Sequence, residues 1–360
     1  MGIALLDTCR TVQQSSRVPL GVQLRRRDIA MGTVTLEQRE LVSALSLLKP
    51  VSSAVGSSLP ILSHVHIAAD EADSIRLSAT DLETALSVPV SGVVSEGSFA
   101  ATLPLSELLA FVKTCGKGSL KVEPTESGMV TVSRNGGRNG GSKSFYTLPV
   151  EEYPICWSTK GERTTFSVFG ADFAKMLESV AFAASAETTN YFLNVAHLSI
   201  SGNRMEAVAT DSRRLAYAAI TDVSPSMTGY GETSRAGIVP TASVSALIRA
   251  FSKGNAVLLD GWLDDRQLRV AGDNGIRLES RLVDAKYPEW ERYINKDRGI
   301  VMRVAVKPFL DALRRVAQAA NPKTRSVMLD ISSDSVMLSA SSSEFGSAAA
   351  IARISPAELS

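Results

Sequence analysis

Apolar residues recur with helical spacing at three widely separated places in the chain. In each place they occupy positions i, i+4 and i+7, the stripe of an amphipathic helix. The three stripes are Leu41, Leu45 and Leu48; Phe173, Leu177 and Val180; and Phe309, Leu313 and Val316. Successive stripes begin 132 and 136 residues apart. The sequence therefore predicts one type of helix three times.

A pair of predicted strands follows each of these helices. The strands span residues 61–67 and 75–81, then 192–200 and 205–211, then 327–331 and 336–341. Apolar and polar residues alternate in them, as at Leu329 and Ile331, and this period of two predicts half-buried antiparallel strands.

Two more helices are predicted directly after a proline, at Pro104 and Pro240, which are 136 residues apart. Their apolar positions are Leu108, Phe111 and Val112 in one, and Val244, Leu247 and Ile248 in the other. Both continue through strand patterns to a Tyr-Pro pair, Tyr153-Pro154 and Tyr287-Pro288. The chain thus holds two full repeats of about 130 residues and the start of a third.

These repeats predict an α+β fold in which each domain packs two helices on antiparallel sheets, with the third repeat incomplete. The predicted domains are residues 33–162, 163–298 and 299–360. Residues 1–32 hold Arg25-Arg26-Arg27 and no apolar segment. They are predicted to be a disordered tail, or the product of a start codon placed ahead of Met31. A basic arm that contacts phosphate is the alternative.

Composition narrows the class of protein. The 360 residues are 44% hydrophobic and 21% charged, as in ordinary globular domains, and the net charge is +1. Nucleic-acid binding would therefore need a local basic surface. No apolar run approaches the ~18 residues of a membrane span. The cysteines, Cys9, Cys115 and Cys156, are too dispersed for a disulfide framework or a zinc site, which predicts a cytoplasmic protein.

Catalytic and cofactor motifs are not found in the sequence. The glycine-rich run 135–141 lacks the Lys-Ser/Thr of a phosphate loop and is predicted to be a hairpin tip. Ser46 and Lys49 fit a Ser-x-x-Lys pattern, but the other motifs of serine acyl enzymes are missing. No carboxylate or thiol stands at ligand spacing near the three histidines, His64, His66 and His197. We predict no enzyme, no metal and no cofactor.

Cations recur at matching offsets on or beside the repeat helices. They are Lys113, Lys117, Lys175, Arg249, Lys253, Arg314 and Arg315. Solvated helix charge is the alternative explanation for any one of them. Together they predict a basic surface that would hold phosphate without reading base sequence.

Five motifs, in this order and spacing, resemble the bacterial sliding clamp family, the beta subunit of DNA polymerase III. They are Leu59-Pro60-Ile61-Leu62, Ala79-Thr80-Asp81-Leu82-Glu83, Asn190-Tyr191-Phe192-Leu193-Asn194, Ala209-Thr210-Asp211-Ser212-Arg213-Arg214-Leu215-Ala216 and Tyr287-Pro288-Glu289-Trp290. The resemblance extends from about Met31 to Ser341. It implies the DNA-clamp fold and a non-catalytic processivity factor. In that family two three-domain subunits close head to tail into a ring around duplex DNA and tether the replicative polymerase.

The resemblance also implies partners and sites. The partners are double-stranded DNA, bound independently of sequence, the polymerase III alpha subunit, the clamp loader and other proteins with a clamp-binding motif. Tyr191 matches a loop that faces DNA. The implied partner-peptide pocket, between the second and third domains, is formed by Leu193, Thr210, Arg213, Leu215, Pro288, Arg292 and Tyr293. The implied dimer interface is formed by Lys143, Phe145, Gln318 and Ala319.

Two departures from the family pattern leave an alternative function open. The C-terminal strands of the family's third domain are missing, so we expect the sequence to be cut short or frameshifted, and a homodimer ring only if that domain is complete. The interface positions Lys143 and Gln318 are polar where the family has apolar residues. The alternative is a clamp-like interaction protein that binds clamp partners but cannot close a ring. Any polymerase (nucleotidyltransferase) activity would belong to the holoenzyme and not to this chain.

Overall fold

The structure is a computed structural model that describes most of the chain between residues 32 and 355. The described residues are 32–53, 58–70, 74–95, 97–134, 141–154, 163–187, 193–221, 223–228, 234–252, 257–294, 303–332, 335–342 and 346–355. Contacts within the chain divide it into two compact units, Met1–Pro288 and Glu289–Ser360. The predicted domain boundaries stay predictions, and residues 1–31 of the predicted tail lie outside the described residues.

The first unit begins with one complete repeat. Over the described residues its order is strand, helix, five strands, helix, three strands. The helices are α1, Gln38–Leu48, and α2, Leu105–Thr114. The strands are β1 (Thr33–Glu37), β2 (His64–Ala69), β3 (Ile75–Thr80), β4 (Thr84–Val90), β5 (Gly92–Ser95), β6 (Phe99–Pro104), β7 (Ser119–Pro124), β8 (Met129–Arg134) and β9 (Ser142–Tyr146).

The second repeat has the same order of elements. Its helices are α3, Gly170–Ala181, and α4, Thr241–Phe251. Its strands are β10 (Arg163–Phe169), β11 (Val195–Ser201), β12 (Arg204–Thr210), β13 (Leu215–Ile220), β14 (Ser224–Thr228), β15 (Ser234–Pro240), β16 (Leu258–Leu263), β17 (Gln267–Gly272) and β18 (Arg277–Arg281). The two-repeat prediction made from spacing thus holds element by element in this unit.

Each repeat arranges its strands in two antiparallel sheets with the same strand order. In the first repeat the orders are β5-β1-β7-β8-β9 and β4-β3-β2-β6; in the second they are β14-β10-β16-β17-β18 and β13-β12-β11-β15. Strand β18 also pairs with β4, so two of these sheets join into one sheet of nine strands. The backbone hydrogen bonds of that sheet hold the two repeats together.

The helix stripes predicted from the sequence lie in the core of the unit. Leu41, Leu45 and Leu48 are fully buried. Helix α1 packs against α2, and α3 packs against α4. Because full burial of a leucine stabilises a fold by roughly 1.5–3 kcal/mol, these repeated stripes account for much of the driving force of each repeat. The polar faces of the helices are exposed to solvent.

The described residues of the second unit repeat the first part of this order. It contains α5, Val306–Ala317, and a sheet of order β19-β22-β21-β20. The strands are β19 (Arg303–Val304), β20 (Met328–Ile331), β21 (Ser335–Ser342) and β22 (Gly346–Ser355). Strand β22 pairs with β21 over most of its length and with β19 at Ile354 and Ser355. As one long strand, β22 therefore takes the places of both β4 and β5 of the first repeat.

Two strand predictions were wrong in detail, and one strand was not predicted. Residues Pro60–Ser63 form a 3-10 turn, because Pro60 has a fixed φ and its carbonyl accepts the Ser63 hydroxyl at 2.7 Å. Strand β11 begins at Val195, three residues later than expected. Strand β22 was not predicted; its first half, Gly-Ser-Ala-Ala-Ala, contains no β-branched residue of the kind that marks a strand.

The prediction that β20 buries one face was also wrong, since all four of its residues are exposed and the expected inward residues, Leu329 and Ile331, are each 46% exposed. Strand register puts Leu329 at the position of Ile67, which is buried. Ile67 lies in a strand flanked by β6 and covered by α2. The described residues of the second unit include no equivalent of either element, so β20 forms an uncovered edge.

Both repeats of the first unit use the same turn between their third and fourth strands. In one, the Asp81 carboxylate accepts the backbone N–H groups of Glu83 and Thr84; in the other, Asp211 accepts those of Arg213 and Arg214. The residue after each aspartate, Leu82 or Ser212, has a positive φ. Matching turns fix the strand registers, so Thr84 and Arg214 are equivalent positions.

Each repeat also carries a partly buried histidine–tyrosine stack. The ring of His66 lies 5.3 Å from that of Tyr153, and His197 lies 5.0 Å from Tyr287. The Tyr153 hydroxyl donates to the carbonyl of His64 at 3.0 Å and that of Ser78 at 3.2 Å. These bonds tie the end of the repeat to its second sheet.

Burial of the two tyrosines predicts a loss of stability at high pH. Desolvation raises the pKa of Tyr153 well above its usual value and that of Tyr287 to about 12. A raised folded-state pKa contributes stability that is full below the unfolded value of about 10 and is lost as pH rises through the folded value. We expect the urea midpoint to fall above about pH 10 and the double variant Tyr153→Phe/Tyr287→Phe to flatten that fall. Tyr146→Phe, at an exposed position, is the control; an equal flattening by this control would contradict the assignment.

Candidate nucleic-acid interface and repeat edges

The predicted DNA-binding cations that the structure describes all lie on its surface. Lys113 and Lys117 are at or just after the end of α2, and Arg249 is in the last turn of α4. The other described members are Lys175 on α3, and Arg314 and Arg315 on α5 in the second unit. Tyr191 and Lys253 lie outside the described residues. The role in DNA binding stays a prediction for all eight residues.

Arg134 fixes the end of α2, where two of these cations lie. It reaches from β8 and donates from Nη1 to the carbonyl of Cys115 at 2.7 Å and from Nη2 to that of Lys117 at 2.9 Å. The carbonyls at a helix C-terminus lack intrahelical partners and carry partial negative charge, so a guanidinium is well suited to them. Arg134 was not singled out in the sequence, because its partners are 17 and 19 residues away.

Acidic residues limit how basic the helix surfaces are. On α3, Lys175 is accompanied by the exposed acids Asp172 and Glu178. On α5, Arg314 lies 3.7 Å from Asp311. The excess of cations is therefore at the ends of α2 and α4 and on α5, which fits weak contact with phosphate better than tight binding.

Two exposed cations at equivalent helix positions were missed by the sequence analysis. Arg39 is the second residue of α1, and Lys307 is the second residue of α5. Their separation, 268 residues, equals the summed offsets of the helix stripes. The repeat spacing that predicted the helices could have found both.

The residues implied for a partner-peptide pocket divide between the two units. In the first unit Leu193 is buried, Leu215 and Pro288 are half-buried, and Arg213 is exposed. The Thr210 hydroxyl donates to the Arg214 carbonyl at 2.7 Å and accepts the Ser212 N–H, so it is used within its own turn. Its contribution to a pocket would come from its methyl group.

In the second unit, Arg292 forms an ion pair with Glu289, and Tyr293 is 77% exposed. A shallow groove of about 520 Å³ also lies in this unit, beside Met328. None of the residues predicted for binding lines this groove. The pocket assignment stays a prediction.

The residues implied for the dimer interface have mixed exposure. Phe145 is buried, with its ring 6.0 Å from that of Phe111, and Ala319 is buried as well. Both pack within their own chain and leave little surface for a partner. Gln318 is exposed, and Lys143 forms an ion pair with Glu107 at 3.1 Å. The interface assignment stays a prediction.

Membrane and metal sites were also sought among the described residues. No described helix is long and apolar enough to cross a membrane. In the same parts of the chain, no group of three or more His, Cys, Asp or Glu residues is placed to hold a metal ion.

Known proteins resemble the chain over most of its length. A family model for the central domain of the DNA polymerase III beta subunit matches residues 168–289. The chain is 25% identical over 313 residues to a beta sliding clamp of Rickettsia bellii, covering 85% of this chain and 78% of that protein. It is 27% identical over 323 residues to the beta sliding clamp of Escherichia coli, covering 86% and 81%.

Solved sliding-clamp structures share the fold. The Pseudomonas aeruginosa clamp matches with a TM-score of 0.78 at 23% identity, over 90% of this chain and 84% of that one. The Bacillus subtilis clamp matches with a TM-score of 0.76 at 20% identity, over 92% and 86%. The repeated modules therefore define the α+β fold of polymerase sliding clamps, as predicted.

The family-model match and the relatives together make the chain similar to beta sliding clamps over most of its length. The resemblance inferred from the five motifs is confirmed by these matches. The prediction that the chain is a non-catalytic subunit, and not an enzyme, is supported by its similarity to beta sliding clamps.

Removal of the Arg134 side chain should loosen the basic end of α2. Arg134→Met keeps most of the aliphatic packing but removes two hydrogen bonds to helix-end carbonyls. We expect the free energy of unfolding to fall by about 1–3 kcal/mol. Urea unfolding followed by circular dichroism measures this, with Arg266→Met in the exposed β16–β17 turn as the matched control. Equal stability of the two variants would contradict the capping role.

Proposed function

We propose that the chain acts as a DNA sliding clamp, a processivity factor that encloses duplex DNA and tethers a replicative polymerase. The observation that carries the proposal is the repeated module, with a basic residue at the end of the second helix in each copy, Lys113 and Arg249. Weak, sequence-independent phosphate contacts suit a protein that slides, because no single register along DNA is favoured. Because these contacts are weak, it is the enclosure of the duplex that keeps the protein on DNA.

Tethering would require a binding site for the polymerase and the clamp loader. Leu193 and Leu215 could supply apolar contact and Pro288 a rigid side to a short peptide, with Arg213 at the exposed margin. The double-stranded DNA, the polymerase III alpha subunit, the clamp loader and other motif-bearing proteins remain the proposed partners. The tether would then give the polymerase a high effective concentration at the primer end.

One observation favours the second candidate function, a clamp-like interaction protein that closes no ring with its third repeat. The ion pair between Lys143 and Glu107 occupies the outer edge of the first repeat. If that edge paired with an uncharged strand, both charged groups would lose their hydration and would gain no new polar partners in return. A clamp-partner peptide could still bind a chain of this kind.

Retention on circular DNA tests the proposed function. The protein would be loaded onto nicked circular plasmid with a bacterial clamp loader and ATP, then separated from free protein by gel filtration. We expect it to remain on the circle and to leave when the plasmid is cut once. A chain that binds a clamp-partner peptide but is never retained on the circle would favour the second candidate. Equal retention on circular and linear DNA would contradict enclosure.

The contribution of the helix-end cations is measured by the salt dependence of binding to a short duplex. Log K falls as log salt rises, and each phosphate that a variant no longer neutralises should make this negative slope shallower by about 0.9. We expect Lys113→Gln/Arg249→Gln to make the slope shallower by up to about 1.8. Lys121→Gln, on a sheet strand and already paired with Glu123, is the control. An unchanged slope in the double variant would show that these two cations do not face DNA.

A further inference from the structure

The outer face of the nine-stranded sheet carries arginines where the two repeats of the first unit join. Along β18, Leu278 and Ser280 are fully buried and belong to the inner face, which packs on the core. Successive side chains of a strand point to opposite faces of its sheet. Arg277, Glu279 and Arg281 therefore share the outer face, and both arginines are exposed.

Two more arginines reach the same face from neighbouring strands. Arg269 of β17 is the direct cross-strand partner of Glu279, so the two side chains lie on one face. Arg76 of β3 contacts Ser87, which is the cross-strand partner of Arg277. These residues span four adjacent strands and both repeats. We call them the basic patch, and its members are Arg76, Arg269, Arg277 and Arg281.

Hydrogen bonds to neutral groups hold the Arg76 guanidinium in place. Its Nε donates to the Ser87 hydroxyl at 3.0 Å, and its Nη2 donates to the Gly275 carbonyl at 2.7 Å, in the turn between β17 and β18. Nη1 donates to no residue that the structure describes. A guanidinium that is already fixed loses little rotamer freedom when its remaining N–H groups bind a ligand.

Arg76 and Arg277 are two like charges that the fold holds near each other. Burial, and then the positive charge of Arg277, lower the pKa of the Arg76 guanidinium. Within the described part of the chain, neither side chain forms an ion pair with an acid. By contrast, Arg281 lies 4.0 Å from Glu83. An anion bound between Arg76 and Arg277 would relieve their mutual repulsion, because each guanidinium can donate two parallel hydrogen bonds to one carboxylate.

Comparison of the repeats shows that the fold does not require a cation at Arg76. Since Thr84 and Arg214 are equivalent, the same register makes Arg76 equivalent to Glu206. Glu206 accepts hydrogen bonds from Arg204 and from the Tyr217 hydroxyl, each at 2.7 Å. The second repeat thus has a neutralised acid at the position where the first repeat has a cation that no described acid neutralises.

The dimensions of the basic patch suit a short extended peptide. Arg277 and Arg281 are four residues apart on β18, which corresponds to about 13 Å along the strand. An extended peptide has the same rise per residue, so acidic side chains two or four residues apart on one of its faces can reach both arginines.

The surroundings of the basic patch favour a peptide over a nucleic acid. Exposed acids border it: Glu83 beside Arg281, and Asp260, which lies in the same cross-strand row as Arg277. A long chain of phosphates would meet these acids. Single-stranded nucleic acids also stack on exposed aromatic rings. The aromatic residue nearest along these rows, Trp262, is only 9% exposed.

We propose that the basic patch binds a short acidic peptide of a partner protein in extended conformation, with one carboxylate against Arg76 and Arg277 and another against Arg281. This binding would take place on the outer sheet face. It would not use the helix cations that are proposed to contact DNA, so the proposal goes beyond the clamp function and does not depend on it.

Fluorescence anisotropy with the full chain tests the proposal. The probe is a labelled short peptide of alternating Glu and Ser, and the control peptide has Gln in place of Glu. We expect the Glu peptide to bind, to weaken as salt screens the charges, and to bind more tightly than the Gln peptide. Arg277→Gln should raise the Kd at least about fivefold, and Arg277→Lys should have a smaller effect, because lysine keeps the charge but not the planar fork.

The matched control is Arg303→Gln, which removes an exposed arginine of the second unit and should leave the Kd unchanged. Arg76→Gln should act like Arg277→Gln, with circular dichroism as the check of folding. Three results would overturn the proposal: no binding of the Glu peptide at low salt, equal Kd values for the Arg277→Gln and Arg303→Gln variants, and tighter binding of a thymidylate oligonucleotide of similar length that Arg277→Gln abolishes. None of them would affect the retention experiment on circular plasmid.

Discussion

Pairing of strand edges between neighbouring repeats is the constraint on which the rest of the first unit depends. Each repeat buries its own helices, but its fourth strand leaves backbone groups unpaired until the last strand of the next repeat meets it. At the internal junction the side chains beside that edge are small hydroxyls, Thr84, Ser243 and Ser280. These hydroxyl groups hydrogen-bond to one another, and because the side chains are small the two strand backbones can pair closely. The sheet continues across the junction, so the two repeats behave as one compact unit.

Periodicity predicted the repeats well because helix stripes and turn residues act locally. The spacing of Leu41, Phe173 and Phe309 located three helices, and the matching Asp81 and Asp211 turns follow from chemistry within five residues. Burial was predicted less well, since it depends on which elements cover a strand. Leu329 has the same pattern as Ile67, but it is exposed because no described element of its unit covers it as α2 covers Ile67.

The candidate sites were predictable only in part, because they depend on contacts between distant residues. Exposed cations such as Lys113 and Arg249 could be found from repeat offsets alone. The cap supplied by Arg134, and the pairing of Lys143 with Glu107, bring together residues that no short motif links. Burial of Phe145 was likewise invisible to the motif that suggested an interface role. The sequence motifs identified the family, whereas the strand register showed which positions are equivalent between the repeats.

Comparison of repeats within one chain separates residues that the fold requires from residues that are particular to one repeat. The Asp81 and Asp211 turns are alike because both build the same strand connection. The residues that follow them differ: Thr84 stands where β18 pairs with β4, and Arg214 stands where no described strand pairs with the outer side of β13. Arg76 and Glu206 also occupy equivalent positions, and they carry opposite charges. Because the fold accepts either charge there, the side chain at this position can serve to discriminate among partners met in water.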